Sequence, residues 1–166
     1  MKKGICLWAL FLLCGLMSSA FSMQEKMGLG IFTGKTTGIS GKYWLNDSMA
    51  IDAATRWTFG ERENLWYIHS DFLIHRFDQF RLSSGKLPIY YGGGLQATVG
   101  DDDRLGLRAP IGLEYLLGEA PVDIFVEVAP TFDFIPEAQF DFNGAIGIRY
   151  FFGRRGSSLF VQPSGE

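Results

Sequence analysis

The chain has 166 residues, 47% of them hydrophobic and 15% aromatic, with 21 glycines and a formal net charge of −3. Mild acidity without a basic cluster ahead of the C-terminal tail argues against a nucleic-acid partner. No stretch offers the roughly 18 uninterrupted apolar residues of a spanning helix, and abundant glycine and aromatic residues without such a run favour an all-β architecture.

At the N-terminus, Lys2 and Lys3 lead into an apolar run from Ile5 to Met17, followed by Ala20-Phe21-Ser22. Small residues at the minus-three and minus-one positions complete the layout of a secretory signal peptide. Residues 1–22 are therefore read as a cleaved signal, with Ser18 and Ala20 as a second cleavage option. The run is short for a retained anchor, which needs about 20 residues. Cys14 follows Leu13, where a lipoprotein signal wants a small residue, so lipid attachment is not expected. Both cysteines, Cys6 and Cys14, leave with the signal, and the mature chain has neither thiol nor disulfide despite an oxidising destination. Loss of Lys2 and Lys3 leaves 13 bases against 18 acids, a charge of −5.

From 23 to 152 the chain reads as one domain. Eight segments alternate with period two: 27–33, 38–46, 48–58, 66–76, 88–98, 105–116, 122–132 and 139–152. Most approach the roughly 9–11 residues that a tilted strand needs to cross a bilayer. The second segment sets Ile39, Tyr43 and Leu45 against Lys42, and the third sets Met49, Ile51 and Trp57 against Asp52 and Arg56. In the fourth, Trp66, Ile68, Phe72 and Ile74 oppose His69, Asp71 and His75; in the fifth, Ile89, Tyr91 and Leu95 oppose Gln96. The sixth sets Leu105, Leu107, Ile111, Leu113 and Tyr115 against Arg108 and Glu114. The seventh sets Val122, Ile124, Val126 and Val128 against Asp123 and Glu127. The eighth sets Phe140, Phe142, Ile146, Ile148, Tyr150 and Phe152 against Asp141, Asn143 and Arg149.

One face is thus greasy and the other charged. A lipocalin-like soluble barrel would turn the greasy face inward, but eight strands enclose little more than their own side chains, too little for so many large aromatics. With the N-terminus periplasmic, Trp57 and Trp66 fall at the outer rim with Phe132 and Phe140. Tyr43, Tyr91, Tyr115, Tyr150 and Phe152 fall at the periplasmic rim. Two aromatic bands around an aliphatic middle match the girdles of an outer-membrane barrel. The expected fold is an all-β, eight-stranded antiparallel up-and-down transmembrane barrel; a soluble β-sandwich is the competing arrangement.

Charges turned inward must be paired, because an unpaired buried ion costs several kcal/mol. Lys42, Arg56, Arg108 and Arg149 can be matched by Asp52, Asp71, Glu114, Asp123, Glu127 and Asp141. Such a mixture suits an internal salt-bridge network, whereas a selective pore more often shows one dominant sign. Little or no conductance is expected.

The remaining chemical candidates are weak. His69-Ser70-Asp71 tempts as a hydrolytic set, but neighbours on a strand point to opposite faces, so His69 and Ser70 cannot pair directly. Asp101-Asp102-Asp103 lacks the alternating ligands of a calcium loop and reads as a turn. Gly92-Gly93-Gly94 lacks the following Lys-Ser or Lys-Thr of a phosphate loop and reads as relief of crowding at a bend. No catalytic, cofactor or metal site is expected.

The signal, the eight amphipathic segments, the absence of mature cysteine and the aromatic final strand together resemble small Gram-negative outer-membrane barrels of the broad OmpA/OmpX type. Ala145-x-Gly147-x-x-Tyr150-x-Phe152 resembles the insertion signal of such proteins, with Ala145 at the usually polar first position and a short polar tail, 153–166, after it. The resemblance implies outer-membrane lipid, the barrel assembly machinery and periplasmic chaperones as partners. The expected role is structural or surface-interacting, with a narrow channel as second reading and a lipid-modifying enzyme as third; no surface ligand is identified.

Overall fold

A computed structural model describes residues 26–152, apart from 36, 60–63, 81, 83, 102 and 119. The expected signal, both cysteines and the tail 153–166 lie outside the described residues. The strands are β1 (Met27–Gly34), β2 (Gly38–Trp44), β3 (Met49–Phe59), β4 (Asn64–Arg76), β5 (Ile89–Gly100), β6 (Arg104–Arg108), β7 (Ile111–Leu116), β8 (Val122–Ile135) and β9 (Gln139–Phe152). All pairings are antiparallel, and β1 meets β9 from Met27↔Phe152 to Gly34↔Ala145, which closes the sheet on itself. Closure leaves no unpaired edge among the described strands.

The ring has eight strands, because β6 and β7 are two halves of one and both pair with β5 and β8. Pro110, which has no N–H, sits at the break. Pairing continues through it: Gly92 N–H donates to Pro110 O at 2.9 Å, and Ala109 N–H to Pro130 O at 3.0 Å. Side-chain alternation also survives, with Leu107 and Ile111 exposed and Arg108 buried. The segment expected as a single strand over 105–116 is therefore divided into β6 and β7 at residues 109–110, while flanking backbone hydrogen bonds and side-chain facing run on across the break. β8 runs to Ile135, past the expected end at 132, and a bulge there sets Leu105 opposite Ile135 and Gly106 opposite Asp133.

The two ends differ. The mouth carries the β1–β2, β3–β4, β5–β6 and β8–β9 connections; the base carries both strand termini and the β2–β3, β4–β5 and β7–β8 connections. At the base, Asn46 Oδ1 accepts the N–H groups of Ser48 at 2.9 Å and Met49 at 2.8 Å, fixing the β2–β3 turn through an Asx side chain. At the start of the β4–β5 connection, Phe77 packs on Trp44, Ala50 and Phe151 to form an aromatic floor.

Here the interior departs from the sequence reading, which filled the inner face with paired charges. Phe32, Trp44, Leu73, Tyr90, Phe125 and Phe151 are also buried inside. Glycines on neighbouring strands make room for these rings. A Cβ at Gly147 would stand 2.5 Å from the Phe125 ring, and one at Gly28 would stand 2.7 Å from the Phe151 ring. Gly147, expected in the insertion signal, thus also has a packing role.

Gly94 makes room for charge in the same way. A Cβ there would lie 2.1 Å from Ser70 O and 2.2 Å from Asp71 Oδ1. Gly94→Val is expected to cost about 1–3 kcal/mol through overpacking. The loss is read as a lower urea midpoint by tryptophan fluorescence in micelles; an unchanged midpoint would contradict the crowding.

Candidate functional site inside the barrel

The interior is built in tiers above the aromatic floor. Strand alternation places Lys42 of β2, His75 of β4 and Glu114 of β7 together, with Lys42 Nζ donating to Glu114 Oε2 at 2.6 Å. His75 Nε2 lies 2.9 Å from the same carboxylate oxygen, and its ring centroid is 4.3 Å from that of Trp44. Lys42 also faces the Tyr90 ring, 5.1 Å from its centroid.

Arg149 of β9 is the hub of this tier. Its Nε donates to Asp123 at 3.0–3.1 Å, its Nη2 to Glu114 Oε1 at 3.3 Å, and its Nη1 to Asp52. Nη1 also reaches Ser40 Oγ at 3.4 Å, and the guanidinium lies 4.1 Å from the Phe125 ring centroid. A planar fork of five donors suits this multiple recognition, which a lysine could not reproduce.

Arg108 organises the next tier toward the mouth. Its Nη2 donates to Glu127 and its Nη1 to Tyr67 Oη at 3.0 Å, while its Nε stands 2.7 Å from Asp71 Oδ2. His69 Nδ1 is 3.3 Å from Arg108 Nη1, and its Nε2 is 3.7 Å from Asp71. Tyr90 Oη donates to Glu127 Oε2 at 3.0 Å, and Tyr67 Oη to Gln96 Oε1 at 3.0 Å. Gln96 Nε2 in turn donates to Asp133 Oδ1 at 2.7 Å. A cavity of about 20 Å³, room for roughly one water, is lined by Ser40 and Asp52 on one side and by His69, Arg108 and Glu127 on the other.

Eight of the ten residues expected in the charge network stand buried in these tiers: Lys42, Asp52, Asp71, Arg108, Glu114, Asp123, Glu127 and Arg149. Two do not. Asp141 lies at the mouth with 46% of its side chain exposed, paired with Lys35, because its position near the start of β9 lies above the packed tiers. Arg56 is half-buried at the mouth, its guanidinium 4.1 Å from the Tyr67 ring centroid.

Sequence reasoning missed Tyr67, Tyr90 and Asp133 as network members. The odd numbering of Tyr67 between outward Trp66 and Ile68 was an available signal; Asp133 was lost with the end of its strand. Ser70 is exposed on the outer face while His69 is buried inside, so the two do not meet. In the Asp101–Asp103 turn, Asp103 Oδ1 accepts Gly100 N–H at 2.9 Å, and Asp102 lies outside the described residues.

The outer face is apolar along its length. Trp57 and Trp66 sit directly opposite each other near the mouth, 47% and 54% exposed, and Trp66 Nε1 donates to Thr55 Oγ1 at 2.5 Å. Phe132, Phe140 and Phe142 join them at the mouth end, while Tyr91, Tyr150 and Phe152 are exposed toward the base. Tyr43 and Tyr115 are half-buried at the base, where Tyr115 Oη donates to Ser84 O at 3.2 Å.

No protein-family model matches the sequence, and no curated protein matches it. Among solved structures, the N-terminal β-barrel domain of Pseudomonas aeruginosa OprF is similar, with a TM-score of 0.59 at 15% identity over 78% of this chain and 98% of that one. Neisserial surface protein A is similar at a TM-score of 0.45 and 17% identity, over 76% of this chain and 94% of that one. The fold is that of the small eight-stranded outer-membrane barrels.

Proposed function

We propose that the chain is an integral outer-membrane protein with a structural or surface-interaction role, its interior a packed salt-bridge network and not an open pore. The inversion of its two faces carries this reading. Ile31, Leu95, Leu107, Val126 and Ile146 are each at least half exposed on the outside, while Lys42, Glu114, Asp123 and Arg149 are buried inside. In water such a belt would far exceed the apolar patch that a monomeric protein tolerates. Lipid is the solvent that suits it, and aromatic residues toward both ends fit the two headgroup levels.

Export through the signal at 1–22 and insertion by the barrel assembly machinery, aided by periplasmic chaperones, complete the proposed route. Gly147, Tyr150 and Phe152 form its recognition element. In this orientation the mouth faces outward and the aromatic floor faces the periplasm. The single-water cavity between the tiers and the floor beneath them favour a plugged barrel over a channel. Ser70's outward position disfavours a His69-based hydrolase.

Two measurements test the reading. The mature protein is expected in the outer-membrane fraction, migrating faster on gels unboiled than boiled; a soluble protein indifferent to boiling overturns membrane residence. In planar bilayers the purified barrel is expected to leave the conductance at baseline, and sustained ion-selective current overturns the plugged interior.

A further inference from the structure

Above the Arg108 tier the barrel opens into a vestibule of about 420 Å³, within the roughly 300–1,000 Å³ typical of small-ligand sites. Its charged lining consists of Lys35, Arg56 and Arg104 against Asp133 and Asp141. Lys35 is engaged by Asp141, and Arg104 Nη1 lies 4.0 Å from Asp133. Asp133 is further held by Gln96. Arg56 makes no ion pair among the described residues; it stacks on Tyr67, whose hydroxyl is already committed to Gln96 and Arg108.

This leaves a guanidinium held in place by its ring contact, facing a polar cavity, with no carboxylate of its own. A planar fork of donors recognises an oxyanion by two parallel hydrogen bonds. Around it stand the hydroxyls of Thr58 and Thr98 and the amide of Asn143; Gln96 and Thr131 also line the cavity but are buried and engaged with Tyr67, Asp133 and Asp141 O. Such groups match ring hydroxyls, not an apolar body. The face of Tyr67 covered by Arg56 is closed to a stacking base. The rim acids Asp101, Asp103 and Glu137 do not line the cavity, and they oppose a large polyanion more than a small one.

We propose that this vestibule is a binding site for a sugar bearing a phosphate or carboxylate, with Arg56 gripping the oxyanion and Thr58, Thr98 and Asn143 taking the hydroxyls. The site deepens the surface-interaction reading and rests on it only for the side from which the ligand arrives.

The test uses the barrel refolded in amine-oxide micelles, with each variant first checked for heat-modifiable folding. Glucose 6-phosphate, glucuronate, glucose and inorganic phosphate are titrated by calorimetry and by the arginine side-chain NMR signals. The two acidic sugars are expected to saturate and to shift the Arg56 Nε signal; glucose and inorganic phosphate should each bind about tenfold more weakly, since each offers half of the recognised chemistry. Arg56→Gln should weaken the acidic sugars about tenfold or more, and Arg56→Lys, which keeps charge but loses the fork, by an intermediate factor. Arg76→Gln, at an exposed base position, should change nothing. Unaltered affinity in both Arg56 variants, inorganic phosphate binding as tightly as the sugar phosphate, or no saturable binding overturns the site. Any of these in a heat-modifiable barrel leaves the membrane reading standing, so the two failures are distinguishable.

Discussion

Arg149→Leu is expected to destabilise the barrel by about 3–5 kcal/mol, the cost of breaking a buried ion pair by removing one partner. The reason is the number of acids that depend on it. Asp52, Glu114 and Asp123 all accept from this one guanidinium, and Lys42 is the other base of the tier. Without Arg149, three carboxylates share Lys42 and a histidine in a space closed by Phe125 and the aromatic floor. Refolding yield, read as the heat-modifiable fraction, should fall sharply, and urea unfolding in micelles should shift to lower concentration with an unchanged slope.

Asp123 provides the internal control. Its ion pair is with Arg149, so Arg149→Leu combined with Asp123→Leu removes a base together with an acid that would otherwise be stranded. The double variant should be more stable than Arg149→Leu alone, since replacing a whole buried pair with apolar side chains is often neutral. Equal stability of Arg149→Leu and the unaltered barrel would show the network to be solvated rather than buried. An additive double variant would show that the two side chains do not act as a unit.

Much of this arrangement was legible from alternation. In β9, Asp141, Asn143 and Arg149 share one parity and Phe140, Ile146 and Ile148 the other, and a two-residue period is enough to put them on opposite sides of a sheet. The same rule separated Lys42 from Tyr43 and Asp71 from Phe72. What alternation does not encode is height along the barrel axis. Asp141 and Arg149 have the same parity, yet one meets Lys35 in the open mouth and the other meets three buried acids. Height depends on strand tilt and on the stagger between strands, which come from pairings such as Gly30↔Arg149 and not from any one segment.

Aromatic residues misled for a related reason. The expected interior was a charge network without rings, yet Trp44, Phe125 and Phe151 are buried within. Each can fit only because a partner strand supplies a small residue at the right register, as Gly28 does for Phe151 and Gly147 for Phe125. A lone sequence shows the glycine and the ring separately; their meeting is a property of the closed sheet. Pro110 is the opposite case, a residue whose local effect was readable but whose consequence was small because backbone groups on both flanks kept their partners.

Ile146→Arg is the substitution that decides which face meets lipid. Ile146 is 50% exposed on the outside of β9, opposite Val126 of β8 and Thr33 of β1. Phe140 and Phe142 lie beyond it toward the mouth, and Tyr150 and Phe152 toward the base. A position between two aromatic bands sits near the bilayer midplane, where an arginine on the lipid face costs about 2–4 kcal/mol. Leu45→Arg, in the base turn and 39% exposed, should cost only about 0–1 kcal/mol, as expected near the interface. Both are measured by urea unfolding from phosphatidylcholine liposomes. In a water-facing sheet the same two arginines would be surface substitutions of nearly equal and small effect, within about 0.5 kcal/mol of neutral. The depth gradient therefore separates the two environments. Loss at Ile146 with tolerance at Leu45 requires a low-dielectric slab around the middle of the barrel, and equal tolerance at both would return the apolar belt to water.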